Sequence, residues 1–132
     1  MSDKIVISEL PVTGEFLPER RLIQERGELA LIVDGSPFRH LAYFSLVPGP
    51  HFRGGHYHRV KTEFFYVIAG KARLSIHDLD SGEKAVHLLA AGGKVTIFPG
   101  LAHRFVAEEE TRVIEYYDAV YDKRDDYPFS DF

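Results

Sequence analysis

A chain of 132 residues, 45% hydrophobic and 13% aromatic with no cysteine, has the size of one domain with one core, which excludes disorder and any disulfide or thiolate chemistry. Sixteen Lys and Arg against 20 Asp and Glu leave a formal net charge of -4, with no basic block able to neutralise a row of phosphates, so nucleic acid is excluded as a partner. No apolar run approaches the roughly 20 residues of a membrane helix, and the opening MSDKIVISEL lacks an export signal's apolar stretch; the expectation is a soluble cytoplasmic protein.

In chain order, Met1 to Gln24, broken by Pro11, Gly14 and Pro18, is expected as an irregular arm that wraps the domain or swaps onto a partner. Short apolar runs between turns then predict strands at Glu28 to Val33, Leu41 to Val47, His56 to His58, Glu63 to Ile68, Ala72 to Asp78 and Ala85 to Leu89. Further strands are predicted at Lys94 to Phe98, His103 to Val106 and Arg112 to Val120. Pro48-Gly49-Pro50, Gly70-Lys71, Asp80-Ser81-Gly82, Gly92-Gly93 and Pro99-Gly100 supply the turns. Asp118, Asp122, Asp125, Asp126 and Asp131 crowd the segment 118–132, which reads as a solvated tail or partner-contacting arm. Few 3.6-residue stripes occur, so the fold class is all-β: a single domain over 1–132, arranged as a meander or jelly roll with little helix.

The chemistry concentrates in two stretches. In Arg53-Gly-Gly-His56-Tyr-His58, side chains alternate along a strand, so His56 and His58 share one face. Glu63 has the wrong parity for that face on a continuous strand, so a turn or bulge is required around Arg59 to Thr62. In the second stretch, Gly92 to Phe105, a Pro-Gly turn precedes a strand that can bring His103 beside the first two imidazoles. Three imidazoles and one carboxylate suit one divalent ion: Fe, Mn, Ni, Co or Zn.

These stretches resemble the paired motifs of the cupin superfamily, the first joining His-x-His to a downstream Glu and Gly, the second a Gly, a Pro-x-Gly turn and a His. His56, His58, Glu63 and Gly70 match the first; Gly92, Gly100 and His103 match the second, with Phe98 where proline is usual and Ala107 in place of the asparagine. The motif-bearing core, residues 49–107, implies a double-stranded β-helix and makes His56, His58, Glu63 and His103 the metal ligands. Exposed edge strands in such a fold imply a homodimer. The run around His56 is further similar to small cupins of sugar-nucleotide and capsular polysaccharide biosynthesis. Some of those use the two histidines as acid and base without metal.

The resemblance implies a metal-dependent isomerase or epimerase of a small carbohydrate-like substrate. The alternatives are a metal-free nucleotide-sugar ketoisomerase, a dioxygenase and a non-catalytic binding module. The candidate catalytic residues are His56, His58 and Tyr66. Arg53, Lys61 and Arg104 are candidates to neutralise a diphosphate, and Tyr43 or Tyr66 to pack on a ring. His40, His77 and His87 fall outside the motifs and are expected on outward or edge positions without function.

Overall fold

Antiparallel pairing organises nearly every apolar run of the chain. The computed structural model describes Met1–Phe132 and contains twelve strands. They are β1 (Ile5–Glu9), β2 (Arg21–Gln24), β3 (Gly27–Ala30), β4 (His40–Leu46), β5 (Arg53–Tyr57) and β6 (Glu63–Ala69). These are followed by β7 (Lys71–Asp78), β8 (Lys84–Ala90), β9 (Gly93–Ile97), β10 (Leu101–Ala107), β11 (Thr111–Tyr117) and β12 (Tyr127–Pro128). One sheet has the order β1-β9-β6-β11-β4, the opposing sheet β12-β5-β10-β7-β8, and β2 and β3 form a separate hairpin.

The period-two pattern decides which side of each strand is buried. Along β7, Ala72, Leu74 and Ile76 are enclosed, whereas Lys71 and Arg73 face solvent. Phe65 and Val67 of β6, Val95 and Ile97 of β9 and Phe105 of β10 meet Leu74 in one core between the sheets. Enclosing each side chain of this size contributes about 1.5–3 kcal/mol. The interior is thus filled by side chains at one end, and polar groups collect at the other. No helix is long and apolar enough to cross a membrane.

Both terminal segments are more ordered than their composition suggests. Within the expected N-terminal arm, β1 pairs with β9, placing Ile5 opposite Ile97, and β2 runs within the hairpin. Only Ile5 of β1 is buried, so the segment has little apolar signal of its own and is held by its neighbour's ladder. The hydroxyl of Ser2 and the ammonium of Lys4 reinforce it, each donating to the Asp78 carboxylate at 2.7 Å.

The C-terminal segment packs on its own domain rather than lying as a solvated tail. It makes a single 3-10 turn at Lys123–Asp125, and β12 then pairs with β5, placing Tyr127 opposite Tyr57 and Pro128 opposite His56. Tyr127 stacks on Tyr57 with ring centroids 5.1 Å apart, and Arg59 lies over Tyr127 at 4.5 Å. Asp125 is only 8% exposed.

Candidate functional site

The polar end of the interior is built from both sheets. His56 on β5 sits directly across from His103 on β10. That approach depends on the preceding glycines: Gly54 has φ +87°, and a Cβ there would lie 2.7 Å from the carbonyl oxygen of His103. The β5–β10 register slips just past this pair, between His103 and Arg104, a bulge that re-aims side chains. The chain then leaves β5, turns through His58 to Thr62 and re-enters the opposite sheet at Glu63, which pairs with Ile97 of β9. This is the turn that the parity of Glu63 requires.

The imidazole nitrogens and carboxylate oxygens of His56, His58, Glu63 and His103 lie within 4.8 Å of one another. His58, Glu63 and His103 are buried at 4%, 3% and 0% exposure, whereas His56 is half-buried. Each imidazole points Nδ1 at an acceptor. His58 Nδ1 donates to the carbonyl of Asp125 at 2.6 Å, and His103 Nδ1 donates to the carbonyl of Leu101 at 3.0 Å. His56 Nδ1 lies 2.9 Å from the carboxylate of Asp126. An Nδ1 held this way carries the proton, so Nε2 is the atom left for the interior.

Two of those Nε2 atoms converge on one oxygen. Glu63 Oε1 is 2.8 Å from His58 Nε2 and 3.0 Å from His103 Nε2, yet all three atoms lack an aligned hydrogen-bond partner. Lone pairs at that separation repel unless positive charge lies between them, either protons on Nε2 or a cation. The donor set therefore fits a divalent first-row ion, with the outer nitrogen of each imidazole held by an oxygen acceptor, as such a site uses.

The charges respond accordingly. Burial opposes the charge of Glu63, but His103 and His58 outweigh it and hold the carboxyl well below the usual range. Burial likewise opposes protonation of His58, and Glu63 outweighs it, raising that histidine above its ordinary value. His56 is pushed down to about 4, by burial and then by the charges of His103 and His58.

A cavity of about 160 Å³ opens onto this cluster, lined by His56, Glu63, His103, Phe44, Arg53, Gly54, Phe65, Phe105 and Glu115. Arg53 stands at its wall. Lys61 instead lies over the Tyr117 ring at 4.2 Å, beyond the cavity lining. Arg104 faces the outside of its sheet, over Phe132 at 4.8 Å. Tyr66 and Tyr43 are next-neighbours of the inward Phe65 and Phe44, so period-two alternation turns both outward; Tyr43 is 56% exposed. None of these four residues is part of the cluster, and Tyr66, buried on the other face of its sheet, is not placed to act in catalysis there. A larger cavity of about 670 Å³ lies outside, between the β9–β6–β11 face and the N-terminal segment, and its Lys94 is already paired with Glu19 at 2.8 Å.

Glu115 and His40 carry no motif signal, yet both lie in the interior. Glu115 faces the cavity, with His40 Nε2 3.8 Å away, and His40 stacks on Tyr117 at 4.0 Å. Burial and then the charge of Glu63 raise the Glu115 pKa, partly opposed by His40 and Lys61. His40 is expected on an outward or strand-edge position; it lies on the edge strand β4, and its pairing across β4–β11 with the inward Tyr117 turns its side chain inward. His87 also faces inward, opposite Leu74, while His77 is outward beside Phe129.

Solved structures share this architecture. A sugar 3,4-ketoisomerase from Thermoanaerobacterium thermosaccharolyticum in complex with TDP superposes with a TM-score of 0.78 at 15% identity, covering 100% of this chain and 93% of that one. A dTDP-4-dehydrorhamnose 3,5-epimerase from Sulfolobus tokodaii gives 0.79 at 19% identity, covering 99% and 80%. A TDP-fucose-3,4-ketoisomerase from Campylobacter jejuni gives 0.71 at 12% identity, covering 92% and 87%. No curated protein matches the sequence. With the opposed sheets and motif positions described above, these superpositions establish the cupin-type jelly roll. Residues 23–127 match the family described as Polysaccharide biosynthesis C-terminal domain, and the chain belongs to that family.

Proposed function

We propose that the protein is an isomerase or epimerase of a nucleotide-linked sugar, working on a carbon next to a carbonyl. The observation that carries the reading is the convergence of His56, Glu63, His103 and Glu115 on one small cavity. Such a reaction needs the carbonyl oxygen polarised and one proton carried between neighbouring carbons. At about 160 Å³ the cavity holds only the reacting end of a substrate, since whole-ligand pockets run to roughly 300–1,000 Å³. The nucleotide then stays at the mouth, where Arg53 supplies positive charge.

A divalent ion at this site would be held by His56, His58, Glu63 and His103 and would supply Lewis-acid polarisation of the carbonyl oxygen. Glu115 is then the group placed to move the proton, because its raised pKa brings a carboxyl toward the working range of a general acid or base. A second, metal-free reading is favoured by the His56–Asp126 contact at 2.9 Å: an imidazole oriented through Nδ1 by a carboxylate presents Nε2 as a base. The reading takes the protein as cytoplasmic and as a homodimer, the latter supported by exposed Leu41 and Tyr43 on the edge strand β4.

The test is incubation with TDP-linked 4-keto sugars in D2O, followed by proton NMR, beside elemental analysis of untagged protein. Deuterium entering the carbon next to the carbonyl supports an isomerase. Near-stoichiometric metal lost in a His56→Ala, His58→Ala double variant selects the first reading, and activity without metal selects the second. Tight sugar-nucleotide binding without any exchange overturns both.

A further inference from the structure

His103 is oriented within its own strand, by the carbonyl of Leu101 two residues earlier. His58 is oriented from outside the barrel, by the carbonyl of Asp125, which lies 67 positions away in the chain. The same residue does a second job. Its carboxylate accepts from three consecutive backbone amides, Arg59 at 2.8 Å, Val60 at 3.1 Å and Lys61 at 3.0 Å. Those amides form the turn that carries the chain from His58 in one sheet to Glu63 in the other. Without an internal acceptor, three amides of a tight, part-buried turn would be left to water.

We propose that Asp125 is the positioning residue of this site: its carboxylate organises the 59–61 turn and its carbonyl sets the His58 ring, so the histidine–glutamate cluster assembles only when the C-terminal segment docks. One aspartate thereby couples three things: the tautomer of His58, the path to Glu63 and the seating of β12. Three charge-assisted hydrogen bonds to one buried carboxylate make this contact stronger than the neutral turn bonds around it. The inference holds under either reading of the reaction, since it concerns contacts of Asp125 that neither reading alters.

Asp125→Ala, examined in the metal-free protein, tests it without any substrate. Nitrogen-15 NMR of the imidazoles is expected to show His58 losing its Nδ1–H signature, while His103, anchored by Leu101, keeps its own. Amide exchange is expected to rise at least about tenfold at Arg59, Val60 and Lys61 and to stay unchanged along β10, as for a local opening. Asp125→Asn, which retains one acceptor oxygen, falls between wild type and Asp125→Ala. Where Asp125→Ala does not fold, Tyr127→Ala loosens the same segment through its stacking on Tyr57 and is expected to shift His58 in the same direction. A His58 signal and turn protection that match wild type in the tested variant overturn the proposal. Cobalt(II) titration beside these spectra is expected to weaken about 10- to 100-fold in Asp125→Ala; a wild type that binds no cobalt removes only the metal reading, since the NMR and exchange results decide the role of Asp125.

Discussion

His56 and His103 face each other across the β5–β10 ladder with ring centroids 4.9 Å apart, and Gly54 is what allows their strands to come so close. Gly54→Ala forces a Cβ against the His103 carbonyl at a positive φ. The expected cost is about 1–3 kcal/mol, read as a lower urea midpoint, with His56 and His103 losing their mutual NMR contacts. A midpoint equal to wild type would show that the two strands separate without penalty.

Glu63 is the only carboxylate in the cluster and the point where His58 and His103 meet. Glu63→Gln is expected to reduce cobalt(II) or zinc(II) affinity by more than the roughly 10- to 100-fold typical of outer partners. In the metal-free protein it should also lower the His58 pKa, because the charge that raised it is gone. Undiminished metal affinity would place the ion elsewhere.

Glu115→Gln keeps the shape of the cavity wall and removes proton transfer. If Glu115 carries the proton, deuterium wash-in falls about 10²- to 10⁴-fold while sugar-nucleotide binding is retained. Wild-type exchange in Glu115→Gln, with loss in His56→Asn, would assign the base to His56.

Asp78 ties the N-terminus to the β7–β8 turn. Burial opposes its charge, but Lys4, Ser2 and the Asp80 and Ser81 amides outweigh it and hold the carboxyl below the usual aspartate range. A depressed folded-state pKa contributes stability above the unfolded value of about 3.9, and that contribution is lost as pH falls through the folded value. Asp78→Asn is therefore expected to cost about 1–3 kcal/mol at pH 7, with the gap to wild type narrowing below about pH 4. Urea unfolding at both pH values measures it; a gap that does not narrow would mean the charge is irrelevant.

Much of the site was readable because strand chemistry is local. Period-two alternation put His56 and His58 on one face, and the parity of Glu63 demanded the turn that the Asp125 carboxylate holds. The same alternation argues against three other candidates: Arg104 adjoins inward His103, Tyr66 adjoins Phe65, and Tyr43 adjoins Phe44, so each points outward. Their chemistry suits contact with a substrate, but their parity turns them away from the cavity.

The sequence by itself determined the strand pattern, the one-domain size and the four motif residues, because hydrophobic period and turn residues act over a few neighbours. Only the tertiary structure decided that Ile5–Glu9 completes a sheet, that Glu115 faces the cavity with His40 beside it, and that Asp125 and Asp126 orient His58 and His56. Those relationships join residues far apart in the chain. They depend on strand pairing and on the docking of a polar segment whose composition matches that of a solvated tail, and hydrogen-bond partners of that kind leave no periodic trace.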